Sequence, residues 1–142
     1  MDHPVSKAEY EALAMFRYAI RQFLRFSEQA AQRVGLTPQQ HQALLALKGF
    51  PGRDRVTIGE LAERLQIRHH SAVGLVDRLV GQGLVTREPA SDDRRQVYVA
   101  LTERGAAMLE QLTSAHREEL LRIGPEINAL LERIGGGEKA AV

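Results

Sequence analysis

Residues 57–87 read TIGELAERLQIRHHSAVGLVDRLVGQGLVTR, and the spacing of their apolar positions decides the fold. Thr57 and Glu60 have the separation of a capping box, in which a hydroxyl and a carboxylate three residues apart satisfy each other's backbone N–H groups. Ile58, Leu61, Ala62 and Leu65 then recur at i, i+3, i+4 and i+7, which is one face of a short helix. Gln66 to Arg68 leave room only for a tight turn. Beyond it Ala72, Leu75, Val76 and Leu79 repeat the spacing, so a second short helix lays its own stripe against the first. Ala62 is small enough to let the two cross closely, and Gly81 and Gly83 end the second helix.

Past Gly83 the period changes. LVTR (84–87) and QVYVAL (96–101) are rich in β-branched residues and flank a link containing Pro, Ser and Asp, the pattern of a β-hairpin with a long tip. The stretch SDDRRQVYVALTERG (91–105) thus holds the tip, the return strand and, at Thr102, the cap of another helix. Working further outward, residues from about 6 to 34 place Leu13, Phe16, Ile20, Phe23 and Leu24 at helical spacing, with Ser6 and Glu9 as a second possible capping box and Gly35 as a stop. Thr37 caps, and Pro38 opens, a helix reaching about Lys48; GFPGRDR (49–55) is a loop. After Thr102, apolar positions Leu109, Leu112, Leu120 and Ile123 mark a long helix. Gly124-Pro125 is expected to break it before a last helix over 126–134, and 135–142 is a flexible tail.

The fold class is therefore mainly α with a small β-hairpin wing: a winged helix-turn-helix over 36–101, carried by N- and C-terminal helices at 6–34 and 102–134 within one domain of 142 residues. Both terminal helices carry more apolar surface than a lone exposed arm tolerates, which implies that they dimerise.

Composition removes several function classes. With no cysteine there is no disulfide, thiolate nucleophile or cysteine-bound metal. No Gly-rich phosphate loop, nucleophile elbow or HExxH motif is present, so the chain is not read as an enzyme, and no cofactor or metal is expected. No signal peptide or membrane span is apparent, which places the chain in the cytoplasm with no membrane partner. The net charge of +1 gives no global case for nucleic acid. From Arg64 to Arg104, however, seven arginines face five acids, so position carries the argument rather than total charge.

In a winged helix-turn-helix the second helix enters the major groove and the hairpin reaches flanking DNA. The buried stripe at 72, 75, 76 and 79 puts His70, Ser71, Gly74 and Arg78 on or near the outer face, with Arg68 and His69 at the N-terminal end beside backbone N–H groups open to a phosphate. At the wing, Asp93 has the spacing to orient the Arg95 guanidinium by a charge-assisted hydrogen bond, and Arg94 alternates to the other side as a candidate phosphate contact. His69 and His70 are also open to reading as zinc ligands or as plain solvated residues. Neighbours on a helix point about 100° apart, which disfavours chelation.

LTPQQHQALLAL, TIGELAERLQIRHHSAVGLVDRLVGQGLVTR and SDDRRQVYVALTERG together resemble the MarR regulators over residues 36–105, with the terminal helices similar in layout. The resemblance implies a homodimer with interlocked terminal helices, bound to a pseudo-palindromic operator on double-stranded DNA as a repressor released by a small aromatic or phenolic effector. It makes Asp93 and Arg95 the orienting acid and minor-groove arginine, Ser71 a base-reading or phosphate-binding hydroxyl, and Arg78 a backbone contact. Phe16, Ile20, His41 and His116 are candidates for the effector cleft, against a plainer reading as packing and dimer core. Gly74 stands where many relatives carry a side chain able to reach DNA, and His69-His70 replaces smaller or lysine-like residues, so the operator does not transfer. A competing reading is a winged-helix dimer that serves as a protein-interaction module without specific DNA binding.

Overall fold

The computed structural model describes residues 4–89 and 96–135. Asp93, Arg94 and Arg95 therefore lie outside the described residues, as does the tail beyond residue 135. The elements in order are α1 (Lys7–Arg33), α2 (Pro38–Lys48), β1 (Val56–Thr57), α3 (Ile58–Leu65), α4 (His69–Gly81), β2 (Val85–Pro89), β3 (Val97–Leu101) and α5 (Glu103–Ile134). The chain divides into two compact units, residues 30–113 and residues 1–29 with 114–142. The division falls within α1 and α5 rather than at the loops near 35 and 102, because Ala30, Ala31, Leu109 and Leu112 belong to the core of the 30–113 unit.

That unit is assembled from local signals. Gly35 takes the left-handed conformation (φ +83°) that closes α1, with the Leu36 N–H donating to the Ala31 carbonyl. Thr37 caps α2 with Gln40 as the reciprocal partner, the side chains and backbone N–H groups exchanging bonds of 3.0 and 3.1 Å. Thr57 and Glu60 do the same for α3 at the same distances. The tight turn after α3 places Gln66, a non-glycine residue, in the left-handed region (φ 56°), held by the Ile67 N–H to the Ala62 carbonyl. Leu44, Leu47, Leu61, Leu75, Val76 and Leu79 close the core from the helices, and Val56, Val85 and Val99 from the sheet.

The sheet has three antiparallel strands in the order β1-β3-β2, with Val56 opposite Val99 and Val85 opposite Leu101. β1 has no counterpart among the sequence-based expectations, since two residues are too few to show a period. β2 runs two residues past Arg87 to Pro89, which an edge strand tolerates. The root of the hairpin is locked to the start of α5. The Thr102 N–H donates to the Leu84 carbonyl at 3.0 Å, its hydroxyl donates to the Gly83 carbonyl at 2.7 Å, and the Gly105 N–H donates to that hydroxyl. Gly105 lies so close that a Cβ there would overlap the Leu84 carbonyl oxygen.

In the other unit, Ser6 and Glu9 form the capping box of α1. α5 does not break at Gly124-Pro125 as the sequence suggested; Pro125 lies inside one continuous helix. Proline removes a single backbone hydrogen bond, whereas Ile123 and Leu130, buried seven residues apart on one face, keep the same helical phase across it. Leu13, Leu24 and Leu120, read as parts of apolar stripes, are exposed, while Phe16, Ile20 and Phe23 are half-buried.

Candidate nucleic-acid interface

The buried stripe of α4 turns the rest of its circumference outward. Arg68, His69, His70, Ser71 and Arg78 are exposed and Gly74 is half-buried. At 100° per residue these do not form one surface. His70, Gly74 and Arg78 make one stripe at i, i+4 and i+8. His69, Val73 and Asp77 make the next, and it lines a groove of about 550 Å³ whose other wall is Thr57, Ile58 and Gly59 with Arg87, Gln96 and Val97 of the hairpin. His69 thus faces the space between α4 and the wing rather than the stripe of His70.

Across that groove Asp77 and Arg87 form an ion pair. It ties β2 to the outer side of α4, so helix and hairpin share one surface. Two exposed charges contribute little to stability, and the value of the pair lies in this positioning. No sequence rule could have found it, since the partners sit ten positions apart on different elements.

The N-terminal end of α4 is electropositive by construction. Arg68 is its N-cap residue and makes no side-chain cap bond, and no acid lies in the first turn. The first N–H groups therefore lack side-chain acceptors while the helix dipole adds partial positive charge, a combination suited to an anion such as a phosphate.

Other arginines are engaged within the fold. The Arg53 and Arg64 guanidiniums lie 4.7 and 4.9 Å from the Phe50 ring, and Arg53 also makes a two-pronged pair with Glu60. Hydrogen bonding to Arg53, aided by the Thr57 N–H and hydroxyl, holds the Glu60 carboxyl below the usual carboxylate range. Arg55 stacks on Tyr98 at 5.1 Å and pairs with Glu88 at 2.9 Å. Sequence reasoning passes over this second arginine group because its members look like loop and helix-surface charges.

The four cleft candidates are divided between the two units, Phe16, Ile20 and His116 in one and His41 in the other. His41 is buried in α2 of the 30–113 unit. In the other unit His116 shares a 2.8 Å hydrogen bond with Ser27 and meets Phe23 and Phe26 edge-on, ring centres 5.8 and 5.4 Å away. Phe26 and Ser27 were missed; with Phe23 they occupy i, i+3 and i+4, a helical face that signals such a contact. Among the described residues there is no group of three or more potential metal ligands, and no helix is long and apolar enough to cross a membrane.

Comparison with known proteins agrees with this geometry. A model of the MarR family matches residues 34–96. An uncharacterised HTH-type transcriptional regulator of Mycobacterium leprae is 31% identical over 98 residues, 69% of this chain and 68% of that protein. The HTH-type transcriptional repressor YetL of Bacillus subtilis is 31% identical over 106 residues, 74% of this chain and 58% of the relative's length. The chain thus spans under two thirds of that relative. Among solved structures AbsC of Streptomyces coelicolor, a MarR family transcriptional regulator, superposes with a TM-score of 0.74 at 23% identity, covering 99% of this chain and 97% of its own.

Proposed function

We propose, for a chain that belongs to the MarR family, that it is a sequence-specific DNA-binding transcriptional regulator and not an enzyme. It acts in the cytoplasm as a homodimer on a pseudo-palindromic operator. The observation that carries this reading is the outer surface of α4, with exposed Arg68, His70, Ser71 and Arg78 and a side-chain-uncapped N-terminus, held beside the hairpin by Asp77 and Arg87. A helix so presented fits a major groove, and Asp93, Arg94 and Arg95, in the sequence between the two hairpin strands, are assigned to the flanking backbone or minor groove. Two such helices related by a twofold axis meet half-sites about one helical turn apart, roughly 34–36 Å.

The direction of control is repression, supported by the B. subtilis relative, which is named a repressor. Release is by a small aromatic or phenolic effector. His116, set against Phe23 and Phe26 with a hydroxyl at Ser27, supports this by offering aromatic edges and a polar handle.

The test is binding of the purified protein to a fluorescent duplex from its own promoter region, at several salt concentrations, against a scrambled duplex of equal length. Saturable preference for the promoter with a steep salt slope is expected. Equal and weak binding to promoter and to a genomic duplex pool alike would favour the protein-interaction module instead.

A further inference from the structure

We infer that Arg78 reads a guanine base rather than a phosphate, its guanidinium occupying the space that Gly74 leaves bare on the outer stripe of α4 shared with His70. The inference rests on the DNA-binding reading and departs from the backbone role that family resemblance assigns to Arg78.

Three observations carry it. Gly74 stands in mid-helix, where glycine is the poorest non-proline helix former, yet neither backbone conformation nor packing requires it. It is not among the described glycines with positive φ, and apart from its chain neighbours and its own helix backbone the one described atom within 4 Å of a Cβ placed there is an Arg78 guanidinium nitrogen, at 4.0 Å. Helical side chains lean toward the N-terminus, so a long residue at i+4 covers the turn before it. Arg78 does this over a position with no side chain of its own, and its guanidinium lies on the central stripe with His70 rather than on the flank toward the groove wall.

The third observation concerns charge. Neighbouring Asp77 is already paired with Arg87, and no carboxylate among the described residues pairs with Arg78. No described residue engages its donors, which sit over the face of the helix that approaches base edges in this reading. A planar guanidinium there matches the O6 and N7 acceptors of guanine with two parallel hydrogen bonds, which a lysine ammonium cannot reproduce.

The experiment selects binding sites from a duplex library with a randomised core. It uses the full-length wild type, Arg78→Lys, Arg78→Ala and Gly74→Leu, each first shown by circular dichroism to melt as a folded protein. The wild type should select a guanine at one fixed position of each half-site. Both Arg78 variants should lose that preference, roughly 5- to 150-fold per half-site, while selecting the other positions unchanged and keeping the salt slope. Gly74→Leu, which displaces the guanidinium, should lose the same guanine.

Several outcomes overturn it. If Arg78→Lys selects the wild-type sequence, or if Arg78→Ala weakens all duplexes alike and lowers the salt slope by roughly 0.9 for each phosphate no longer neutralised, Arg78 binds phosphate. If the wild type selects a site with no such guanine, the inference fails and the DNA-binding reading stands. A wild type that selects no sequence overturns both.

Discussion

The two units of this chain solve the problem of apolar surface in opposite ways. The 30–113 unit closes a core of leucines and valines from α2, α3, α4 and the sheet, and among the described residues leaves only Leu45 and Val80 as large apolar side chains in the open. In the 1–29 and 114–142 unit, nine such residues among those described are exposed, from Val5, Tyr10, Leu13, Met15, Tyr18 and Leu24 to Leu120, Leu121 and Leu131. The first unit has the makings of an independent fold. The second has helices whose outer faces need cover, which is the physical argument for the homodimer.

The contrast can be broken at several points. Leu44→Ala, deleting a side chain with 0% exposure in the 30–113 unit, should cost about 3–4 kcal/mol of folding stability by calorimetry. A loss below about 1 kcal/mol would mean that this core is not the source of the unit's stability. Leu121→Glu, at the most exposed large apolar residue among those described (74%), should leave helix content intact and weaken the dimer roughly 100-fold, since two copies of the side chain leave the interface. Sedimentation showing a folded wild-type monomer at micromolar concentration would remove the dimer altogether.

Gly105→Ala sharpens the comparison by adding only a methyl group. Its Cβ meets the Leu84 backbone, which cannot move without shifting the hairpin, so about 2 kcal/mol should be lost in denaturant titration. Wild-type stability there would mean that the strand and α5 separate easily.

The smallest effect belongs to the α3 cap. Glu60→Ala should cost about 1 kcal/mol at pH 7. The folded-state carboxyl of Glu60 is held below its ordinary value by Arg53. Its contribution is therefore present above the ordinary carboxylate range and lost as pH falls through the lowered value, so wild type and variant should converge in strong acid. A gap that persists there would assign the effect to the hydrogen bond that a neutral Glu60 side chain still accepts from the Thr57 N–H rather than to charge.

Much of the fold was legible because its signals are local. The capping boxes at Ser6 and Thr57, the cap at Thr37, the stop at Gly35 and the two stripes of the helix-turn-helix depend on near neighbours in sequence. Gly124-Pro125 misled for the same reason: a local breaker was weighed without the buried Ile123 and Leu130 on either side of it. At the site, periodicity placed Arg68, His70, Ser71 and Arg78 on the outer surface. It did not distinguish the stripe of His70 from that of His69, because the difference appears only once the hairpin is there to form a wall.

The amino-acid sequence alone determined where the capped helices begin and which faces of α3 and α4 turn inward, since covalent spacing sets that within one or two turns. Tertiary structure alone decided the pairing of Asp77 with Arg87, the two-residue strand β1, the fit of Gly105 against Leu84 and the company of His116 with Phe23, Phe26 and Ser27. Those pairings join residues from 10 to 93 positions apart, and a distance in space between separate elements is set by how their cores pack, which no short-range pattern encodes.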